Sequence, residues 1–158
     1  MDALNIDNVK YRNITHKYNN RELLNENSMN DIEAIKFIDK KTKTINNNNN
    51  KNNVYDVACY LLSKMPNKEC TTMKLHKLLY YCQAWSMVWE EKSIFPEKIE
   101  AWVNGPVIRN LFVQFKGYYV VKYSDIKVLG NENILTDEQK EIVDKVIKFF
   151  YWFQSILI

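Results

Sequence analysis

The chain's 158 residues suffice for one folded domain and hardly for two, and its 46% apolar and 13% aromatic content excludes wholesale disorder. A net charge of +3 lacks the strongly basic balance of an obligate nucleic-acid binder. Three Gly and three Pro suit long helices better than a many-turned β-sandwich.

The composition changes near residue 53. Residues 1–53 are Asn-rich and weakly hydrophobic and contain an unbroken run from Asn46 to Asn50. Such a run has little apolar surface to bury, so a largely disordered, flexible extension is expected. One short helix is predicted within it, where Ser28 and Asp31 have capping-box spacing ahead of Ile32, Ile35 and Ile38.

From Val54 the pattern is dense. Val54, Val57, Ala58, Leu61, Leu62 and Met65 recur at helical spacing, with Asn53 as N-cap and Pro66 as stop. Leu75, Leu78, Leu79, Cys82, Trp85 and Trp89 form the stripe of a second helix capped by Thr71 or Thr72. Pro96 forbids a helix through SIFPEKIEAWV, and Ile99, Ala101 and Val103 alternate with Glu100, Trp102 and Asn104 as in a short strand. Pro106 suits the first position of a further helix carrying Ile108, Leu111, Phe112 and Phe115, with Gly117 closing it. YVVKYSDIKVL is expected to be extended. Thr136 and Gln139 make a capping box for the last helix, whose inner face carries Ile142, Val143, Val146, Ile147 and Phe150. The expected fold class is mainly α, a compact helical domain over residues 54–158 with a small strand element.

No residue constellation proposes a reaction. Cys70, His76 and Cys82 could suggest a metal, but residues six apart on a helix point about 120° away from each other, and short ligand pairs are absent. Cys82 reads as a small hydrophobe in the stripe. His76, between Lys74 and Lys77, reads as a solvated histidine. Neither a nucleophile elbow nor a phosphate loop occurs. The pairs Glu90 and Glu91, and Glu97 and Glu100, read as solvated charge. Three cysteines without a secretory segment point to a reducing, cytoplasmic setting, and no apolar run reaches the roughly 18 residues of a membrane span.

Lys74, Lys77 and His76 share part of one helix face, and Arg109 and Lys116 lie on another, but interspersed acids make DNA the lesser reading. The aromatic surplus favours protein contact, since Tyr, Trp and Arg are preferred interface anchors. Tyr80, Tyr81, Trp102 and Arg109 are the candidate partner-binding residues, although for Trp102 a core anchor is the stronger expectation.

Two blocks carry a family resemblance. MKLHKLLYYCQAWSMVW supplies Lys74, Leu75, Lys77, Leu78, Leu79, Tyr80, Tyr81, Gln83 and Trp85. IFPEKIEAWVNGPVIRNLFVQFKGY supplies Phe95, Ile99, Glu100, Ala101, Trp102, Gly105, Pro106, Val107, Phe115, Lys116 and Tyr118. In order and spacing they resemble the Panacea domain, a family that includes SocA-type antitoxins and GepA-like phage-associated proteins. Ser93 stands where the family pattern has Pro. The resemblance spans about Val54 to Phe150. It implies a mainly helical antitoxin, not an enzyme and needing no cofactor, that binds and neutralises a protein toxin, in one branch as an adaptor delivering the toxin to an AAA+ protease. A DNA-binding autoregulator and a vestigial domain are the alternatives. The family pattern continues into a further C-terminal segment where this chain ends at Ile158, so the domain is expected to be shortened there; the Asn-rich extension is a second departure.

Overall fold

The computed structural model describes residues 52–156. The Asn-rich run and the helix expected behind Ser28 lie outside the described residues.

The first helix, α1 (Val54–Lys64), is started by reciprocal hydrogen bonds. The Asn53 side chain accepts from the amides of Tyr55 (2.9 Å) and Asp56 (3.2 Å), while Asp56 accepts from the Asn53 amide at 2.8 Å. Glu97 accepts from the amide of Val54 at 3.0 Å, which satisfies a third donor of the helix's open end. Burial raises the Glu97 carboxyl above its ordinary range, and that hydrogen bond partly opposes the rise. Asp56 also accepts from the amide of Asn131 at 2.7 Å, drawing the 127–131 segment across the start of α1. Only glycine fits at 130, since a Cβ there would come 2.3 Å from the Tyr55 carbonyl oxygen.

A short turn (Pro66–Lys68) and strand β1 (Glu69–Thr71) lead into α2 (Thr72–Trp89), capped by Thr71 accepting from the amide of Lys74 at 3.2 Å. This is the central helix: Leu75, Leu78, Leu79 and Cys82 are completely buried, with Trp85 and Met87 close behind. Helix α5 (Asp137–Ile156) packs against both α1 and α2. The capping box expected at its start is present, with Gln139 accepting from the Thr136 amide at 3.0 Å and Thr136 from the Gln139 amide at 3.3 Å. Ile142, Val143, Val146 and Ile147 are buried on its inner face.

Between α2 and α5 lie β2 (Ile99–Trp102), β3 (Gly105–Ile108), α3 (Arg109–Gln114), β4 (Val120–Lys122) and α4 (Tyr123–Ile126). Strands β2 and β3 form an antiparallel hairpin, pairing Ile99 with Ile108 and Trp102 with Gly105; β1 pairs antiparallel with β4. The fold class is mainly α with a small strand element, as expected from the sequence. Two expectations are corrected. Pro106 does not open a helix: it lies buried in β3, and the helix begins at Arg109. The expected long extended stretch stops at Lys122, where Asp125 accepts from the Lys122 amide at 3.0 Å and turns the chain into α4.

The link from α2 to β2 is held by one buried side chain. Gln83, with no solvent exposure, accepts from the Ile94 amide at 2.9 Å and donates to the Phe95 carbonyl at 3.0 Å and the Ser93 hydroxyl at 2.9 Å. Ser86 donates to the Lys92 carbonyl at 2.7 Å, and Asn52 donates to the Ile94 carbonyl. Both ends of the Gln83 amide thereby have partners, which a buried amide side chain requires. Gln83→Leu keeps approximate volume but strands the Ile94 amide, while the Ser93 hydroxyl still donates to the Phe95 carbonyl. It is expected to cost about 2–5 kcal/mol and lower the thermal midpoint by at least about 10 °C in calorimetry; an unchanged midpoint would show that this clamp is dispensable.

Candidate functional site

The β2–β3 hairpin turns through Val103 and Asn104, and Gly105 follows with φ 121°, a backbone region open chiefly to glycine. Val103 at the tip is completely exposed. On the strand behind it, Glu100 and Trp102 are two residues apart and share a face. The Glu100 carboxylate accepts from Arg109 Nε and Nη2, both at 2.9 Å, and from Trp102 Nε1 at 2.8 Å. Those bonds, Arg109's first, hold the Glu100 carboxyl below its usual range. The guanidinium lies 5.8 Å from the Trp102 ring centre, and Phe112 meets that ring edge-on at 4.7 Å. A surface ion pair adds little to stability in water. Its effect here is positional: it fixes the ring of a Trp that remains 38% exposed.

Beside this cluster runs a groove of about 750 Å³. The first turns of α2 supply Thr72, Met73, Lys74, His76 and Lys77; the hairpin supplies Ala101 to Asn104, Pro106 and Val107. Phe112 and Phe115 of α3's end, Lys116, Gly117 and Tyr118 of the following turn, and Phe150 of α5 complete it. Its floor is apolar, with Met73 and Tyr118 more than half exposed. Three lysines line it and no carboxylate does. One of them, Lys74, lies over the rings of Phe150 (4.7 Å) and Tyr151 (5.1 Å).

His76 corrects the sequence reading. It is 4% exposed, not solvated. Its sequence neighbours misled because Lys74 and Lys77 lie about 200° and 100° away from it around the helix, on another face. The buried face of α2 carries β3, whose Ile108 amide needs an acceptor, and His76 Nδ1 accepts that bond at 3.1 Å. An Nδ1 that accepts cannot carry a proton, so the neutral ring holds its hydrogen on Nε2. Nε2 is buried and has no hydrogen-bond partner among the described residues. Burial lowers the His76 pKa from 6.5 to about 4.

The other sequence candidates are dispersed. Trp102 and Arg109 are brought together with Glu100, as described, and Trp102, on the surface, is not the core anchor expected of it. Tyr81 is 37% exposed and follows Lys77 by four residues, one turn further along the same face of α2. Tyr80 is 8% exposed, its ring 5.3 Å from that of Tyr81; neither tyrosine lines the groove. Cys59, Cys70 and Cys82 are buried free thiols, and burial pushes each upward, the first two to about 11. That is the reverse of nucleophile activation. Among the described residues no group of three or more His, Cys, Asp or Glu could hold a metal ion, and no helix is long and apolar enough to cross a membrane. Glu97 and Glu100 serve separate ends: one caps α1, the other organises the hairpin. The groove escaped sequence reasoning because its walls come from four separate segments. The hairpin's two loop residues, Val103 and Asn104, carry no strong turn signal; the glycine that follows them is the mark of its positive φ.

Residues 75–156, just over half of the chain, match the family model described as antitoxin SocA-like, Panacea domain. No curated protein and no solved structure matches the chain.

The buried imidazole makes stability depend on pH. Its folded-state pKa is depressed, so between pH 6.5 and about 4 the unfolded chain takes a proton that the native chain refuses. The contribution is complete above the unfolded value and is lost as pH falls through that window, by about 3 kcal/mol in all. His76→Asn retains an acceptor for the Ile108 amide without a titrating ring. Urea unfolding of the two proteins should show a stability difference that changes across this window and is constant above it. A difference independent of pH would mean that His76 titrates in the fold as it does in the unfolded chain.

Proposed function

The chain belongs to the SocA-like antitoxin family of Panacea domains, and from that premise we propose that it binds a protein toxin directly and neutralises it. The family match carries this reading; the exposed aromatic and basic surface at the hairpin supports it. Trp102 and Arg109 are the contact residues we assign there: a large ring held at fixed orientation loses little freedom on binding. Tyr81 extends the contact along α2, with Tyr80 backing its ring. The binding domain is assigned to residues 54–158 and acts in the cytoplasm, consistent with three unpaired thiols. Delivery of the bound toxin to an AAA+ protease is the finer form of the same reading. Against a DNA-directed role, the groove's lysines stand around an apolar floor rather than a polar, phosphate-tracking surface.

The test is expression of the genes adjacent to this one, with and without the full chain. One neighbour should arrest growth alone and be tolerated in the presence of this protein. Trp102→Ala should weaken complex formation about 30-fold or more, the effect of losing an aromatic anchor worth about 2 kcal/mol. The variant's melting profile checks that it is folded. If no neighbouring product is toxic and relieved, the reading loses its basis; relief undiminished by Trp102→Ala would remove the hairpin from the contact surface.

A further inference from the structure

We propose that the groove between α2, the hairpin and the α3 turn receives an extended, acidic segment of a partner protein, seating an apolar side chain on its floor and placing a main-chain carbonyl against His76 Nε2–H. Three observations converge on that chemistry. The first is the orphaned donor. Nδ1 is occupied by the Ile108 amide, which fixes the hydrogen on Nε2, and that atom is buried in a residue lining the groove without any acceptor. A buried donor left unmade costs free energy, which an acceptor supplied by a ligand would recover. Because the ring is neutral, its fitting partner is a neutral carbonyl; a carboxylate would have to be stripped of water to reach it.

The second is charge. Lys74, Lys77 and Lys116 line the groove and no Asp or Glu does, so carboxylates flanking the seated residue find cations at the more hydrated edge. The third is shape and surface. Some 750 Å³ of mainly apolar space lies within the size range of ligand clefts, and Met73 (61% exposed) and Tyr118 (53%) leave apolar area uncovered beside it. The inference rests on the toxin-binding reading only for the identity of the partner; the chemistry of the segment comes from the groove itself.

Displayed random peptides selected on the immobilised full chain provide the test. Enriched sequences should place Asp or Glu around an apolar residue. A synthetic peptide of that type should move the His76 Nε2–H resonance in nitrogen-edited NMR. The pair Lys77→Glu and Lys116→Glu, both at exposed positions, should weaken its binding about tenfold or more. His76→Asn, which keeps the acceptor for Ile108 but lacks the Nε2 donor, should weaken it as well. Enrichment of basic or uncharged peptides, absence of enrichment, an unmoved His76 signal, or preference for a labelled oligonucleotide would each overturn the proposal. If acidic peptides bind in this way yet no neighbouring gene product is relieved, the toxin reading fails and the groove stands. If relief is seen but survives the lysine reversals and His76→Asn, the groove is not the contact and the toxin reading stands.

Discussion

Buried backbone that no strand or helix satisfies is the constraint around which this fold is arranged. The Ile94 and Ile108 amides lie in the interior, and α2 supplies the acceptor for both: Gln83 Oε1 at 2.9 Å and His76 Nδ1 at 3.1 Å. The two residues are seven apart, two helical turns, and so lie on nearly the same line of α2. One secures the chain as it leaves the helix, and the other secures β3 as the hairpin returns. The hairpin's tilt over α2 follows from these fixed points, and with it the positions of Glu100, Trp102 and Arg109. An apolar residue at either position would leave buried donors that water cannot reach.

The three long helices, α1, α2 and α5, were legible because their apolar spacing and end signals agree with their environment. Asn53 and Asp56 cap α1, Thr71 caps α2 and Thr136 with Gln139 caps α5, all by local bonds whose partners are three residues or fewer away. What misled were residues whose role is decided by distant chain. Pro106 has a backbone shape acceptable to a helix start or a strand, and its pairing opposite Ala101 settles the matter. His76 has lysine neighbours in sequence but β3 as its neighbour in space. Gln83, within a stretch recognised for its pattern, gave no sign that both ends of its amide would be consumed by Ser93, Ile94 and Phe95.

The same reasoning gives physical content to the residues that carry the family resemblance. Gln83 clamps the connection, Glu100 gathers Trp102 and Arg109, and Gly105 supplies the backbone angle that closes the hairpin. Helix α1 precedes the matched residues 75–156, yet its Val57, Ala58, Leu61 and Leu62 form part of the same buried core. Two of the residues singled out in the sequence, Trp102 and Arg109, do meet, because Glu100 binds both. The groove was not legible, because Met73, Trp102, Phe115 and Phe150 share no sequence pattern.

That dispersal has a thermodynamic consequence. A cleft whose walls come from α2, the hairpin, the α3 turn and α5 exists only when all of them have docked, so no partly folded form of the chain presents it. A ligand of the groove therefore binds the native state alone, and occupancy draws the folding equilibrium toward it by mass action, by about 2.7 kcal/mol when the ligand stands at a hundred times its dissociation constant. Partner concentration would then set how often the free chain opens, and hence its lifetime among cellular proteases.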